Sequence, residues 1–223
     1  MDLAESRKHA SQLSGGTSGS VIKTLVRRLL DDENAGGSLL DYGAGKGELL
    51  AALAGTGQFS SLAGMDLFPP PDGLPEGIAW HQQDLNDVVA TKELFDTVIC
   101  SETIEHLENP RHTFRSLAGL LKPGGLLVLT MPNQESIRAY TGLCWSGHFI
   151  HFVGASYPAH ITALLRLDLK RLCQEVGLTP RRFRYSGSGS PPKMTFTSWQ
   201  RLSFGLLRGR LYSDNIGMAA RRQ

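Results

Sequence analysis

Ser38-Leu39-Leu40-Asp41-Tyr42-Gly43-Ala44-Gly45-Lys46-Gly47-Glu48-Leu49-Leu50-Ala51-Ala52-Leu53 is the stretch whose reading decides the fold. An extended apolar segment enters a turn with three alternating glycines, and a helical apolar pattern leaves it. Glycine is needed where the backbone takes positive φ, or comes so close to a ligand that a Cβ would clash. The helix that follows adds unpaired N–H groups and the positive end of its dipole. This is a ligand cradle, and its spacing narrows the ligand. A dinucleotide fingerprint needs a small residue at position 48, where Glu48 stands. A phosphate-binding P-loop would end in Gly-Lys-Ser/Thr, which is absent.

Working outward, Ser61-Leu62-Ala63-Gly64-Met65-Asp66 reads as a second strand ending in a carboxylate, suited to bidentate hydrogen bonding of ribose hydroxyls. Ile78-Ala79-Trp80-His81-Gln82 reads as a third strand, followed by Gln83-Asp84-Leu85. Phe95 to Glu102 is an apolar strand that ends at a small residue and an acid. Leu120-Leu121-Lys122-Pro123-Gly124-Gly125 turns into a fifth strand that runs to Thr130. Helical patterns lie between and before the strands. Val21, Ile22, Leu25, Val26, Leu29 and Leu30 form one stripe, and Phe114, Leu117, Leu120 and Leu121 another, behind Pro110 at a first helical position. A later helix through Leu169, Leu172, Cys173 and Val176 ends at Gly177, which suits a C-cap. Arg182 to Tyr185 and Asn215 to Ala220 read as two closing strands. The alternation predicts a doubly wound α/β sheet.

In this order the five motifs resemble those of class I S-adenosylmethionine-dependent methyltransferases, strongly over residues 38–131 and weakly to the C-terminus. The resemblance implies a Rossmann-like, mostly parallel seven-stranded sheet with helices on both faces and one antiparallel strand near the edge. It also implies S-adenosyl-L-methionine as cofactor. Asp41, Gly43, Ala44, Gly45 and Gly47 would then cradle its methionine and ribose portions, and Asp66 and Leu67 the ribose diol. Asp84 and Leu85 would hold the adenine, and Ser101 and Glu102 would line the sulfonium side.

Composition fits one domain over residues 1–223, with 41% apolar and 20% charged residues. Residues 1–18 read as a flexible arm able to fold over the cofactor. Residues 134–159 read as an aromatic-rich insertion forming the acceptor pocket, and 186–213 as a loop and apolar helix before the last strand. Cys100, Cys144 and Cys173 lack metal-type spacing, and Cys100 and Cys173 fall in core patterns. No secretory signal is visible and no apolar run approaches about 18 residues, so the expectation is a cytoplasmic protein with no transmembrane segment.

Charge is unevenly spread: residues 161–223 hold 12 Lys/Arg against 3 Asp/Glu, in a chain whose totals are 23 and 21. The basic part is read as a holder of an anionic acceptor carrier such as a diphosphate, with Arg182 and Arg184 as its test residues. Transfer to a hydroxyl benefits from a general base near neutral pKa, and His106 and His160 fall at the expected mouth of the site. Glu102-x-x-Glu105-His106 also resembles the Glu-x-x-Glu-His of ubiquinone-biosynthesis O-methyltransferases and of small-RNA 3′-end 2′-O-methyltransferases, where such groups hold a divalent metal. The same pattern follows the fourth strand in metal-free relatives, and no metal ligands are assigned from sequence. The expected activity is O-methylation of a small or carrier-linked metabolite. The alternatives are metal-assisted RNA 2′-O-methylation and a non-catalytic cofactor-binding partner subunit.

Overall fold

The computed structural model describes residues 2–223. Seven strands form one sheet: β1 (Gly37–Tyr42), β2 (Phe59–Asp66), β3 (Ala79–Gln82), β4 (Phe95–Ser101), β5 (Leu121–Pro132), β6 (Leu178–Tyr185) and β7 (Asn215–Arg222). Their order is β3-β2-β1-β4-β5-β7-β6, with every pairing parallel except those of β7, which is antiparallel to both its neighbours. The helices are α1 (Leu3–Ser14), α2 (Ser20–Asp32), α3 (Glu48–Ala54), α4 (Pro110–Leu120), α5 (Ile137–Ser146), α6 (Arg166–Glu175) and the single turn α7 (Trp199–Leu202). This is the doubly wound, mostly parallel architecture that the strand–helix alternation implies.

A parallel sheet covered on both faces needs strands that are apolar throughout. Val98-Ile99-Cys100 and Leu126 to Leu129 meet that need, and all are buried. The two-residue side-chain period sends Ile99, Leu126 and Val128 to one layer, against Leu25, Val26, Leu29 and Leu30 of α2 and Leu49, Leu50 and Leu53 of α3. Val98, Cys100, Leu127 and Leu129 face the other layer, made by Phe114 and Leu117 of α4 and Leu169, Leu172 and Cys173 of α6. Of the α2 stripe read from sequence, Val21 alone is exposed. Pro110 opens α4 at a position where no N–H is needed, with the Asn109 side chain accepting from the His112 N–H. Gly177, with φ +73°, follows α6 as its left-handed stop.

Two segments differ from the sequence reading. The stretch 1–18, read as a flexible arm, contains α1. Asp2 and Glu5 form a reciprocal capping box at its start, and Gly15 closes it in a left-handed conformation. The apolar run after Trp199, read as a helix, holds only the single turn α7. Phe204 and the glycines Gly205 and Gly209 all have positive φ, which ends α7 after one turn and turns Phe204 and Leu206 outward.

The strand directions bring Asp41 of β1, Asp66 of β2 and Ser101 of β4 to one edge of the sheet. β7 begins there, at Asn215. In open α/β sheets ligands sit at this edge.

Candidate active site

A cavity of about 820 Å³ opens at that edge. Of the cradle residues read from sequence, Asp41, Gly43, Ala44 and Gly45 line it, as do Asp66 and Leu67. Asp84, Leu85, Ser101, Glu102, His106 and His160 complete the wall. Gly47 does not line it. It is the left-handed N-cap of α3, and a Cβ there would meet the Leu74 side chain, so its role is to shape the turn behind the cavity.

The glycine loop is built by close approach. Gly43 has φ +87°, and a side chain on it would overlap Thr103; one on Gly45 would run into the Gly16 carbonyl. The loop is pinned on both sides. Gly45 N–H donates to Asp66 Oδ2 at 2.8 Å, and Lys46 N–H donates to the Gly16 carbonyl at 2.9 Å. Asp41 and Asp66 are both buried, and their carboxyls are raised. Burial, aided by the neighbouring Asp66 charge, brings Asp41 to about 7. Two buried carboxyls without a cation partner, beside a side-chain-free cradle, fit a ligand that carries positive charge.

Glu102 leaves β4 with φ +50°, a left-handed conformation that is costly for a residue with a Cβ and tends to mark a functional position. Its Oε2 accepts from the Asn215 side chain at 3.1 Å, while Oε1 is buried with no hydrogen-bond donor. Three residues on, in the 3₁₀ turn Ile104–His106, the buried Glu105 Oε2 is equally unpartnered. Burial pushes Glu102 up to about 7. It pushes Glu105 well above the usual carboxylate range, with the Glu102 charge adding to the shift.

Residues 159–162 are stitched onto this turn. Ile161 and Thr162 N–H groups donate to the Glu105 carbonyl at 2.9 and 3.0 Å, and the Thr162 hydroxyl donates to the Leu107 carbonyl at 2.7 Å. His106 Nδ1 lies 2.8 Å from the Ala159 carbonyl oxygen, and His160 Nδ1 lies 2.6 Å from that of His151. A carbonyl only accepts, so each Nδ1 carries a proton. The two rings meet edge to face with centroids 4.7 Å apart. Burial lowers His106 to about 4, so it is a neutral imidazole at neutral pH.

α1 closes the cavity from above. Arg7 reaches Asp84 and Asp87 at 3.1 Å and Glu108 at 2.7 Å, tying the first helix to the loops after β3 and β4. Asp84, assigned to adenine on resemblance, is thus held by Arg7 in this state. The aromatic insertion contributes less than its composition implies: Tyr157 and Pro158 line the cavity, whereas Tyr140 and Trp145 face outward. Arg182 and Arg184, read as carrier ligands, do not line it. They pair with Asp32 on α2, Arg184 through both guanidinium nitrogens at 2.7 and 2.8 Å.

Sequence reasoning left Arg7, Thr103, Glu105 and Asn215 unassigned. Glu105 carries a signal in its spacing to Glu102 and His106. Asn215 and Arg7 carry none, because each reaches the site across more than a hundred residues of chain.

Residues 16–182 match the family described as Methyltransferase domain, and the chain belongs to that family. It is a class I S-adenosylmethionine-dependent methyltransferase domain. Among curated relatives it is 35% identical over 138 residues to the ubiquinone biosynthesis O-methyltransferase of Xanthomonas euvesicatoria pv. vesicatoria (strain 85-10), covering 58% of this chain and 53% of that protein. It is 32% identical over 118 residues to the protein of the same name from Haemophilus ducreyi, covering 47% and 49%. The chain thus spans about half the length of the curated relatives it matches. Among solved structures, N-methyltransferase NodS from Bradyrhizobium japonicum WM9 in complex with S-adenosyl-L-homocysteine aligns with a TM-score of 0.58 at 20% identity, covering 90% of this chain and 85% of that one. A SAM-dependent methyltransferase from Archaeoglobus fulgidus aligns with a TM-score of 0.62 at 19% identity, covering 92% and 95%. These likenesses concern the fold.

Proposed function

We propose that this domain methylates a hydroxyl of a small or carrier-linked acceptor, with His106 and His160 as the groups that receive its proton. The observation that carries the reading is the pair of imidazoles that line the cavity with their Nδ1 atoms committed to backbone carbonyls. When bound, S-adenosylmethionine supplies an electrophilic methyl on a sulfonium centre. Asp66 would bind the ribose hydroxyls, and Asp41 and Glu102 would offset the cofactor's positive charge. The glycine loop lets the backbone approach closely. α1 and Arg7 exclude water from the closed cavity, which strengthens each of these interactions. A neutral His106 held in one tautomer offers a fixed acceptor atom without paying to reorient, and the burial that lowers it to about 4 makes it a weaker base than a free imidazole.

A second reading uses the same groups. Donor atoms of Glu105, His106 and His160 lie within 4.8 Å of one another. The unpartnered buried Glu105 oxygen is the kind of orphan that a divalent cation would satisfy, and one carboxylate with two imidazoles is a donor set that suits such an ion. Glu105, His106 and His160 would then hold it, and its chemistry would be to lower the pKa of the acceptor hydroxyl.

The test begins with thermal unfolding in S-adenosylmethionine and S-adenosylhomocysteine, with NAD⁺ and ATP as controls, for the parent and Asp66→Ala. An upward shift from the first two alone, lost in the variant, is expected. An acceptor screen follows, with and without EDTA. Loss of each histidine, in His106→Ala and His160→Ala, is expected to lower kcat about 10²- to 10⁴-fold while leaving the cofactor-induced shift intact. Unchanged kcat in both variants would remove the base assignment, and EDTA-resistant turnover would remove the metal.

A further inference from the structure

The surface outside the site carries a second chemistry. Between Tyr185 and Asp214 the chain has no acidic residue, and this loop leaves and rejoins the sheet at the edge where the cavity opens. Phe204 is 97% exposed, Leu206 85%, Phe196 79%, and Trp145 at the end of α5 82%. Their exposure is held by the backbone. The Gln200 side chain accepts from Gly189 N–H and donates to the Leu207 and Tyr212 carbonyls, Ser198 caps α7, and Gly205 N–H donates to the Gln200 carbonyl. Trp199 packs edge-on against Tyr212, with ring centroids 5.6 Å apart, so the loop has its own anchor on the domain.

Three of the four cations of loop 193–211 are free of carboxylates. Among the described residues, Lys193, Arg201 and Arg208 pair with no carboxylate, whereas Arg210 is engaged by Glu135 and Arg182 and Arg184 by Asp32. Lys193 Nζ lies 5.4 Å from the centre of the Trp145 ring, which joins the α5 end to the loop in one patch. Arg208 Nε donates to the Gly205 carbonyl, holding its guanidinium beside Phe204 in the chain.

We infer that Trp145 and the loop 193–211 form a docking face for the surface of an anionic lipid bilayer, with Trp145, Phe196, Phe204 and Leu206 entering the headgroup–acyl boundary and Lys193, Arg201 and Arg208 meeting lipid phosphates. Exposed aromatic and aliphatic side chains interspersed along the chain with unpaired cations are what an interfacial segment requires. The aliphatic members decide against a nucleic acid: Leu202, Leu206 and Leu211 offer hydrocarbon and no ring on which a base could stack. Each cation contributes on the order of fivefold to partition onto an anionic surface. No helix of the described residues is long and apolar enough to cross a membrane, so the attachment is to one leaflet.

The experiment is flotation of the whole chain with vesicles of phosphatidylcholine alone and with one-third phosphatidylglycerol, at low and high salt. Three proteins are compared: the parent, Lys193→Glu/Arg201→Glu/Arg208→Glu, and Phe204→Ser/Leu206→Ser. The parent is expected to float with the anionic vesicles and to be released by salt. The charge variant should lose binding at least 50-fold and the apolar variant about tenfold, with each keeping the parent's melting temperature and S-adenosylhomocysteine shift. All substituted positions are on the surface, and the charge variant decides the matter if the apolar one fails to fold. Three results would overturn the inference. They are equal flotation of parent and charge variant, a parent dimer that Phe204→Ser/Leu206→Ser converts to monomer without any vesicle binding, and binding of single-stranded RNA in place of vesicles.

Discussion

Asp41 shows how much a single buried carboxyl can govern. Its pKa of about 7 in the folded chain stands above the roughly 3.9 of an exposed aspartate, with burial as the main cause. A raised folded pKa means that this group's contribution to stability is fully present below about pH 4 and is lost as pH rises through 7. Unliganded protein is therefore expected to lose melting temperature between about pH 4 and 7, and Asp41→Asn to flatten that slope. Cofactor binding should run the opposite way, because a cationic ligand favours the ionised carboxylate. S-adenosylmethionine affinity measured by calorimetry is expected to rise up to about pH 7 and then level, and in Asp41→Asn to be weaker and to rise less steeply, with Glu102 carrying the remaining slope. A parallel slope in parent and variant would assign the titration elsewhere. Asp41 and Asp66 were legible in the sequence because each ends an apolar run beside a turn. The burial that moves their pKa values was not, since it depends on α1 and on residues brought from other strands.

At the scale of elements, α1 stands apart. It has good local chemistry at both ends, yet none of its residues is fully buried. What joins it to the body is the Arg7 ion cluster, together with the contact of Gly16 and Lys46 just beyond its end. An element so attached belongs at the low-stability end of the domain. Arg7→Gln is expected to leave the global melting temperature nearly unchanged, to abolish amide-exchange protection in residues 3–14, and to speed S-adenosylhomocysteine release about fivefold, corresponding to about 1 kcal/mol. Protection retained in the variant would mean that packing rather than charge seats the helix. The polar, Ser- and Gly-rich composition of residues 1–18 hides this element, because a helix held by one arginine leaves no apolar stripe to read. Beyond Trp199 the opposite happened: apolar composition read as a helix, and positive φ at Phe204 and Gly205 stopped it after one turn and left Phe204 and Leu206 exposed.

For the whole molecule, stability resides in the two layers against the sheet and little in its surface charges. Phe114 is fully buried under β4 and β5, and Phe114→Ala is expected to cost about 3–5 kcal/mol. Arg184→Ala breaks a bidentate pair with Asp32 on a half-exposed surface and is expected to cost about 1 kcal/mol or less. Chemical denaturation of both variants checks the ranking, and comparable losses would contradict it. The sheet itself was readable in sequence because parallel strands covered on both faces must be apolar throughout. The surroundings of Glu102 and Glu105 were not readable: they are assembled from a 3₁₀ turn, a cross-stitched loop and the first residue of β7, none of which carries a periodic pattern.

The position of β7 has a consequence for how this protein is made. It is the last of the seven strands to be synthesised, yet it lies between β5 and β6 and pairs with both. Until it emerges from the ribosome, the nascent chain holds β5 with a bare edge and β6 with no partner at all, and α2 lacks the Gly217 backbone on which Leu29 packs. Unpaired strand edges recruit other chains. Translation interrupted before Asn215 would thus release a polypeptide with most of its core and no means of closing it, a substrate for chaperones or aggregation rather than a smaller working enzyme.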